Sequence, residues 1–321
     1  MKPRFRFAIA FSYVLTFLSA DGRLIAAGDL PDPAKSKTVA MFTVPRYCEG
    51  VVFDHDGNGY ISHGKVITKF SLDGKHATWA ETGAPNGHKI LADGTHLVCD
   101  ASRHAMLRLS PEGKLLDPAS TQCGGKPLRG PNDLSLDTAN GGFYFTDPGG
   151  SNLKTPIGTM HYVDAAGKTH LLDDGLAFPN GIALRPDGKT LLMAESQKNR
   201  ILVYDVKAPG KVGKRRLFAK LPKKDPTTGQ IDNQPDGICL DAAGNLYVAH
   251  YGMRQVQVLN PQGKLIARYN GGNITTSNVA FGGPRMDQLF ITGGLGKEAG
   301  KGGLFRIDLG VKGLVILPAK K

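Results

Sequence analysis

The chain has 321 residues, a formal net charge of +12 and 40 % apolar residues, with 42 glycines and 20 prolines. This composition excludes a disordered chain and a collagen-like repeat, and it is typical of a turn-rich globule with an ample core. Aromatic residues do not interleave with the basic ones and no nucleic-acid-binding motif is present, so the charge does not indicate a nucleic-acid partner.

The amino-terminal stretch has the pattern of a secretory signal. Basic residues precede a mostly apolar run over residues 7–18, which is too short to span a bilayer comfortably. Small residues at Ala20 and Ala27 offer cleavage points. We therefore predict a signal peptide over residues 1–27 and an exported protein, periplasmic or extracellular, without a stable membrane span after cleavage. The pattern leaves open an uncleaved membrane anchor.

The rest of the chain contains a short phrase that recurs six times. Each copy is a polar residue, a mostly small residue and an alternating apolar strand, and the copies begin at Glu49, His88, Asn132, Asn180, Asp236 and Ser277. A turn and a second strand follow each copy, and successive second strands begin 37 to 55 residues apart. That period is typical of a propeller blade with loop insertions. We predict an all-β chain in which residues 28–321 form one six-bladed β-propeller, with four-stranded blades around a central channel.

The ends of the chain carry strands that belong to no complete copy. One apolar strand, residues 39–44, precedes the first copy, and residues 304–309 and 314–317 follow the last. Because an open ring would expose two sheet edges, we expect one end of the chain to complete a blade begun by the other. The pattern leaves open which end does so.

Four cysteines are present, at Cys48, Cys99, Cys123 and Cys239. Export would permit disulfides, and four cysteines allow three pairings. However, Cys99 and Cys239 lie in apolar strand patterns, where a buried thiol is equally natural. No CxxC pair is present, so a zinc site is not indicated.

In a radial arrangement, the leading polar residues of the copies converge at one mouth of the channel. Glu49 and Asp236 bring carboxylates, and Asn132 and Asn180 bring amide oxygens. Calcium accepts six to eight oxygen ligands in irregular geometry, so this set favours Ca²⁺, with another divalent ion left open. The alternative interpretation is that Asn and Asp are turn residues here, although Glu49 is not a turn former.

Five of these phrases resemble the gluconolactonase and senescence-marker-protein (regucalcin) family, over roughly residues 45–310. The phrases are Cys48-Glu49-Gly50, Pro131-Asn132-Asp133, Tyr144-Phe145-Thr146-Asp147-Pro148, Pro179-Asn180-Gly181 and Pro235-Asp236-Gly237. The resemblance implies a six-bladed propeller with a divalent metal, commonly calcium, in its channel. It implies metal ligands at Glu49, Asn180 and Asp236, with Asn132 as a ligand or a substrate contact. It also implies hydrolysis of lactones such as aldonolactones, with organophosphates in related branches.

The resemblance makes Asp236 both a ligand and the general base, and Asp133 is the rival base because it follows Asn132. Some sugar lactonases of this family place a substrate-binding arginine two residues before that asparagine. This chain has Gly130 there, with Arg129 one residue earlier.

Further candidates for substrate contacts are Asn132, His88, Arg129, His250 and Ser277. For His88 the alternatives are proton shuttling and a plain structural role. His250 ends a second strand, where it could line the pocket or form hydrogen bonds within its blade.

The sequence thus predicts an exported, calcium-dependent lactonase whose partner is a small lactone. Two alternatives remain: a phosphotriesterase on the same metal site, and a non-catalytic ligand-binding propeller with structural calcium. The physiological lactone, the preferred metal and the oligomeric state are left open.

Overall fold

The computed structural model describes residues 30–223, 234–296 and 300–319, together with two short amino-terminal strands. These strands, β1 (Thr16–Leu18) and β2 (Leu24–Ala26), pair antiparallel. Most of the predicted signal peptide lies outside the described residues, so that prediction is not tested. In the part of the chain that is described, no helix is long and apolar enough to cross a membrane.

The alternating apolar segments form antiparallel sheets that follow one another as propeller blades, which confirms the predicted fold. Blade 1 contains β4 (Cys48–Phe53), β5 (Gly59–His63), β6 (Val66–Phe70) and β7 (His76–Glu81). Blade 2 contains β8 (Pro85–Ile90), β9 (His96–Asp100) and β10 (Ala105–Leu109), and a small hairpin follows it with β11 (Gln122–Cys123) and β12 (Lys126–Pro127). Blade 3 contains β13 (Leu134–Asp137), β14 (Gly142–Asp147), β15 (Gly158–Val163) and β16 (Thr169–Leu176).

The second half of the ring repeats this plan. Blade 4 contains β17 (Pro179–Leu184), β18 (Thr190–Glu195), β19 (Arg200–Ala208), β20 (Lys211–Val212) and β21 (Arg216–Lys220), with a 3-10 turn at Ser196–Lys198. Blade 5 contains β22 (Gln234–Leu240), β23 (Leu246–Tyr251), β24 (Gln255–Leu259) and β25 (Leu265–Asn270). Blade 6 contains β26 (Thr275–Gly282), β27 (Gln288–Gly294), β28 (Gly302–Asp308) and β3 (Thr38–Val44).

Blades 2 and 4 depart from the predicted four strands. Blade 2 has a three-stranded ladder, and beyond it only single bridges join Met106 to Ser120 and Leu109 to Leu115. In blade 4 the outer position is divided between β20 and β21, which both pair with the long strand β19.

The ring is closed by the amino-terminal side of the chain. Strand β3 pairs antiparallel with β28, for example through Phe42 and Leu304, and so forms the outer strand of blade 6. The question that the sequence left open is thereby answered: the first complete strand of the propeller finishes the last blade, and its edge is covered.

Apolar layers between neighbouring blades form the core, and a repeated tyrosine fixes the inner hairpins. The hydroxyl of Tyr60 donates to the Asp54 carboxylate at 2.9 Å, and Tyr247 donates to Asp241 at 3.2 Å. The aspartate that ends each of these inner strands therefore satisfies a buried phenol in addition to its turn. All four cysteines are free thiols, so no disulfide contributes to this fold.

Candidate functional site

The inner strands share an irregularity at their starts. In β4, β8, β17 and β22 the register shifts just before the first regular pair, that is, before Val51, His88, Ile182 and Ile238. Such bulges bend a strand and re-aim the side chains at its start. In each of these strands the bulge marks the boundary between the polar residue at the channel mouth and the regular apolar strand that follows it.

The register defines which residues are equivalent across the blades. One regular pair in each of the six inner strands serves as the reference, and these pairs involve Val51, His88, Leu134, Ile182, Ile238 and Val279. In β26 a register shift also occurs, just before Asn278. The residues two positions earlier are therefore the equivalent ones, and we call them the mouth ring: Glu49, Asn86, Asn132, Asn180, Asp236 and Ser277.

Five members of the mouth ring are those that the sequence predicted, and one prediction is wrong. His88 is equivalent to Val51 and Ile182, two residues beyond the ring, and Asn86 takes the ring position in blade 2. The signal was present, because Pro85-Asn86-Gly87 repeats the Pro179-Asn180-Gly181 phrase. The apolar alternation after His88 also matches the apolar part of the phrase, and it therefore predicts His88 at the ring position in place of Asn86.

Contacts between neighbouring blades bring the mouth ring together. The Gly87 N–H donates to the Asn132 carbonyl at 2.7 Å, and the Thr146 hydroxyl donates to the Asn180 carbonyl at 2.9 Å. Between blades 6 and 1, the Thr292 hydroxyl donates to the Glu49 carbonyl at 2.6 Å. The ring is therefore held by its own backbone, and not by long side chains.

Glycines permit the remaining close approaches. A methyl group on Gly50 would lie 2.3 Å from the Asn86 carbonyl oxygen, and one on Gly181 would lie 2.4 Å from the Asp236 carbonyl oxygen. No side chain fits at such distances, so glycine after the ring residue is what lets adjacent blades meet.

The mouth ring has the chemistry of a site for a hard cation. Asn132, Asn180 and Asp236 are each at least nine-tenths buried, and the buried Oδ1 atom of Asn132 has no hydrogen-bond donor among the described residues. An orphaned carbonyl oxygen beside two carboxylates of the same ring is an acceptor set that calcium would satisfy. In the described part of the chain no group of three His, Cys, Asp or Glu could hold a metal. A cation here would therefore need the amide oxygens, and Glu49, Asn132, Asn180 and Asp236 fit that requirement.

Asp133 lies directly behind the mouth ring in a fixed orientation. Its side chain is 2 % exposed, and its carboxylate accepts the Leu134 N–H at 2.8 Å and also the Ile182 N–H. A methyl group on Gly87 would lie 2.5 Å from its Oδ1 atom. Burial raises the pKa of Asp133, while the charge of Lys89 and the two backbone donors act to lower it. The structure thus holds a carboxylate of elevated basicity next to Asn132.

His88 and His250 both lie inside blades. The Nε2 atom of His88 lies 2.7 Å from Nδ1 of His96, and burial lowers the pKa of His88 well below its ordinary value. His250 has no exposed surface, with Nε2 3.0 Å from the Asn199 Oδ1 and Nδ1 3.1 Å from the Gln257 Nε2. Burial lowers the pKa of His250 to about 3. Both imidazoles are thus buried and lie beside polar partners within the fold, and whether either contacts substrate stays a prediction.

Ser277 belongs to the mouth ring, but its hydroxyl is used between blades. It donates to the Cys48 carbonyl at 2.6 Å and lies 3.2 Å from the Thr292 hydroxyl. Arg129 lies on an exposed loop, where its guanidinium contacts the Ile157 carbonyl. It therefore lies beside the mouth and outside the ring.

Two buried aspartates, Asp100 and Asp147, shape the loops at the mouth. The Asp147 carboxylate accepts the N–H groups of Arg129 at 2.9 Å and Gly130 at 2.6 Å. The Asp100 carboxylate accepts those of Gly83 and Ala84. Each holds the segment that leads into the mouth ring of its blade, Asp147 before Asn132 and Asp100 before Asn86.

The fold and the site define a class: a six-bladed propeller whose inner strands present a ring of oxygen donors at one end of the channel. Residues 49–294 match the family described as the SMP-30/Gluconolactonase/LRE-like region. The match covers more than half of the chain and includes all six mouth-ring positions. The chain belongs to this family.

Three relatives have curated names. The lactonase drp35 of Staphylococcus saprophyticus is 32 % identical over 76 % of this chain and 77 % of its own length. The gluconolactonase of Zymomonas mobilis is 30 % identical over 64 % of this chain, which spans 60 % of that relative. The diisopropyl-fluorophosphatase of Loligo vulgaris is 26 % identical over 67 % of this chain and 75 % of its own length.

Solved structures show the same architecture. A luciferin-regenerating enzyme superposes with a TM-score of 0.75 at 21 % identity, covering 89 % of this chain and 100 % of its own. A regucalcin from Agrobacterium tumefaciens, described as a calcium-binding protein, superposes with a TM-score of 0.72 at 22 % identity over 89 % of this chain and 98 % of its own. At these identities the likeness establishes the fold alone.

Proposed function

We propose that this chain is a lactonase that depends on a divalent cation, of which Ca²⁺ is the best match to the ligands. The observation that carries the proposal is the buried, unpartnered Oδ1 atom of Asn132 in one ring with Glu49, Asn180 and Asp236. The names of the two lactonase relatives support the reaction class.

Lactone hydrolysis needs an electrophilic carbonyl, an attacking water and a base. A divalent cation held by Glu49, Asn132, Asn180 and Asp236 would supply Lewis acidity toward the lactone carbonyl and would acidify water. Calcium acidifies water less than zinc does, so a carboxylate base is required in addition. In this proposal Asp236 removes a proton from the attacking water and returns it to the oxygen that leaves when the lactone ring opens. The product is a hydroxy acid.

Asp133 holds a supporting position in the same proposal. Its carboxylate is fixed by two backbone N–H groups and packs against Gly87, so it can orient a group at Asn132 without moving. A buried carboxylate with a raised pKa is also a credible base.

The experiment is lactone hydrolysis by the mature protein, followed as proton release on a panel of aldonolactones and simple lactones. Calcium and chelator form two arms, and Asp236→Ala is measured beside the wild type. Turnover that disappears in chelator and in the variant is the expected result. Cation binding without turnover on any lactone would overturn the proposal and would favour the non-catalytic propeller.

A second candidate reaction is hydrolysis of a phosphotriester or fluorophosphate at the same ring. One specific observation favours it, namely the 26 % identity to a diisopropyl-fluorophosphatase over 67 % of this chain. The same carbonyl-polarising and basic groups could act on a phosphoryl centre, and the difference would lie in the pocket lining. Including a fluorophosphate in the substrate panel distinguishes the two candidates.

Export is also proposed, from the basic and apolar pattern of residues 1–27. Expression of the full chain in a bacterial host, followed by fractionation and amino-terminal sequencing, tests it. Recovery of a shortened chain outside the cytoplasm, starting after Ala20 or Ala27, is expected. A full-length chain in the cytoplasm would contradict it.

A further inference from the structure

The channel continues beyond the mouth ring into a separate cavity. Its volume is about 570 Å³, within the range of roughly 300–1,000 Å³ that small-molecule sites occupy. The inner strands of all six blades line it, together with the carboxyl-terminal segment Leu314–Ala319, whereas no mouth-ring residue does. It is therefore distinct from the candidate cation site and lies at the other end of the same channel.

One row of inner-strand residues that line this cavity contains a single charged side chain, Lys89. Six residues of the inner strands are equivalent by register, and each lies three positions after a mouth-ring residue. We call these six residues the lysine layer. They are Val52, Lys89, Ser135, Ala183, Cys239 and Ala280, and all six line the cavity.

The Lys89 ammonium has no partner that would account for its place in the channel. Among the described residues no hydrogen bond or ion pair engages it, and the Asp133 carboxylate, on which its charge acts, is not within ion-pair distance. An ammonium in an apolar cavity is costly unless an anion or several polar groups compensate it. The carboxylates nearest the open end, Asp54 and Asp56, lie beyond the next apolar row of the channel.

The polar groups beside Lys89 can donate hydrogen bonds. The Ser135 Oγ atom already accepts the Leu184 N–H at 2.9 Å, so its own proton is left to donate. The Cys239 thiol is a weak donor, and burial together with Asp241 raises the pKa of Cys239, which keeps it protonated. Donors in the lysine layer and apolar walls in the next row are the recognition elements for a carboxylate with an apolar tail, and Asp54, His55 and Asp56 line the cavity beyond that row.

The walls of the cavity and the carboxyl-terminal segment that covers it present the apolar side chains that an apolar ligand tail requires. The next row along the inner strands is apolar throughout and includes Phe53, Leu136 and Phe281. The carboxyl-terminal segment is fixed at one side by the Leu314 N–H to the Leu240 carbonyl at 2.9 Å, and at the other by His55 Nε2, 2.7 Å from the Pro318 carbonyl. Between these anchors, Val315 is 54 % exposed. The segment thus crosses the opening with apolar side chains that a bound tail could bury.

From these contacts we propose that this cavity binds a monocarboxylate with an apolar tail, its carboxylate on Lys89 and Ser135 and its tail under residues 314–319. The proposal concerns a second site and does not depend on the lactonase assignment. It needs no bound cation, because none of the mouth-ring residues takes part.

The test is calorimetric titration of the full mature chain with sodium decanoate below its micelle concentration, with chelator present throughout. Lys89→Met removes the charge but keeps an unbranched apolar side chain, and we expect decanoate to bind it at least about tenfold more weakly, as befits one lost buried charge contact. Lys65→Met, at an exposed lysine in the turn between β5 and β6, is the matched control and should bind as the wild type does. Decanol and acetate, which lack the charge and the tail respectively, should each bind far more weakly than decanoate.

A second variant guards against a Lys89 variant that fails to fold. Ala280→Leu fills the lysine layer without changing charge and should also abolish decanoate binding, with an unchanged circular dichroism spectrum as the check on folding. Absence of decanoate binding to the wild type would overturn the proposal. Equal binding to the wild type and Lys89→Met, or equal binding of decanol and decanoate, would overturn it as well.

Discussion

The mouth ring and the lysine layer are built from the same six inner strands, three residues apart, and they differ in every chemical respect. The first contains two carboxylates and three asparagines, whereas the second contains one ammonium among small and apolar side chains. A bulge or register shift at the start of the strand separates the two in five of the blades, all except blade 3. The comparison teaches that the inner strands of one propeller channel can present side chains of opposite charge three residues apart.

The difference extends to how each layer is supported. Backbone contacts between adjacent blades, such as the Gly87 N–H to the Asn132 carbonyl, fix the mouth ring. The lysine layer instead borders open volume, and no hydrogen bond or ion pair among the described residues engages Lys89. We therefore expect substitutions in the first to remove function or folding, and substitutions in the second to change ligand affinity.

The largest effect is expected from the carboxylates of the mouth ring. Glu49→Gln keeps size and hydrogen bonding but removes one of two negative charges, so calcium affinity should fall at least about a hundredfold, with turnover falling in parallel. Calcium binding is measured by calorimetry on chelator-treated protein. Glu81→Gln, on exposed strand β7, is the matched control. Unchanged calcium affinity in Glu49→Gln would remove this residue from the site.

Asp133→Asn tests whether Asp133 or Asp236 is the general base. If Asp133 supports Asp236, turnover should fall roughly ten- to a hundredfold while calcium affinity changes little, because an amide still accepts the Leu134 and Ile182 N–H groups. The pH dependence of kcat/KM should keep its acidic limb, the fall at low pH that reports protonation of the base. Loss of that limb in Asp133→Asn, but not in an Asp236 variant that still binds calcium, would make Asp133 the base.

Next in size is the effect of closing the gap between blades 4 and 5. Gly181→Ala places a methyl group 2.4 Å from the Asp236 carbonyl oxygen, so it should lower the free energy of unfolding by about 1–3 kcal/mol through overpacking. Gly150→Ala, where no atom lies within 4 Å of the added methyl group, is the control and should stay within about 0.5 kcal/mol of the wild type. Urea unfolding measures both. Equal stability of the two variants would contradict the close approach described above.

The smallest effect concerns the histidines that lie inside blades. Burial lowers the pKa of His96 and His161 to about 4 and that of His250 to about 3. An unfolded histidine titrates near 6.5, so between about pH 4 and 6.5 the unfolded chain binds more protons, and stability is full above that range and falls as pH drops. The raised pKa values of Asp133 and Asp147 act in the opposite direction.

His250→Gln isolates one of these contributions. It should make the fall of unfolding free energy with decreasing pH shallower by up to about 1.4 kcal/mol per pH unit. Exposed His76→Gln should give a slope parallel to that of the wild type. Urea unfolding between pH 4.5 and 7 measures the slopes, and parallel lines for all three proteins would show that His250 is not a buried neutral group.

Much of this architecture follows from sequence pattern because the repeat is strong. Alternating apolar strands at 37- to 55-residue spacing predict blades, and polar residues at one phase predict a ring. The sequence does not predict Asn86 at the ring position, because the apolar alternation after His88 matches the repeat better than the Pro85-Asn86-Gly87 phrase that carries the register. The position of the β-bulge determines which residue takes the ring position. A bulge can be located only when the pairing with the partner strand is known.

Other features depend on contacts that no local pattern contains. The pairing of β3 with β28 joins segments about 260 residues apart, and either end of the chain could have closed the ring. The roles of Asp100 and Asp147 depend on which backbone N–H groups face them. In the sequence Lys89 resembles any charged residue of a strand, and only the strand register shows that it lies in the channel.

The central claim is that the mouth ring holds the cation on which lactone hydrolysis depends. The most direct measurement is to titrate chelator-treated protein with Ca²⁺ while recording bound calcium and the rate of hydrolysis of one active lactone in the same samples. The account predicts that turnover rises from zero in proportion to a single class of bound calcium, and that Glu49→Gln shifts both curves together. Turnover that is complete before calcium binds, or calcium binding that Glu49→Gln leaves in place, would contradict it.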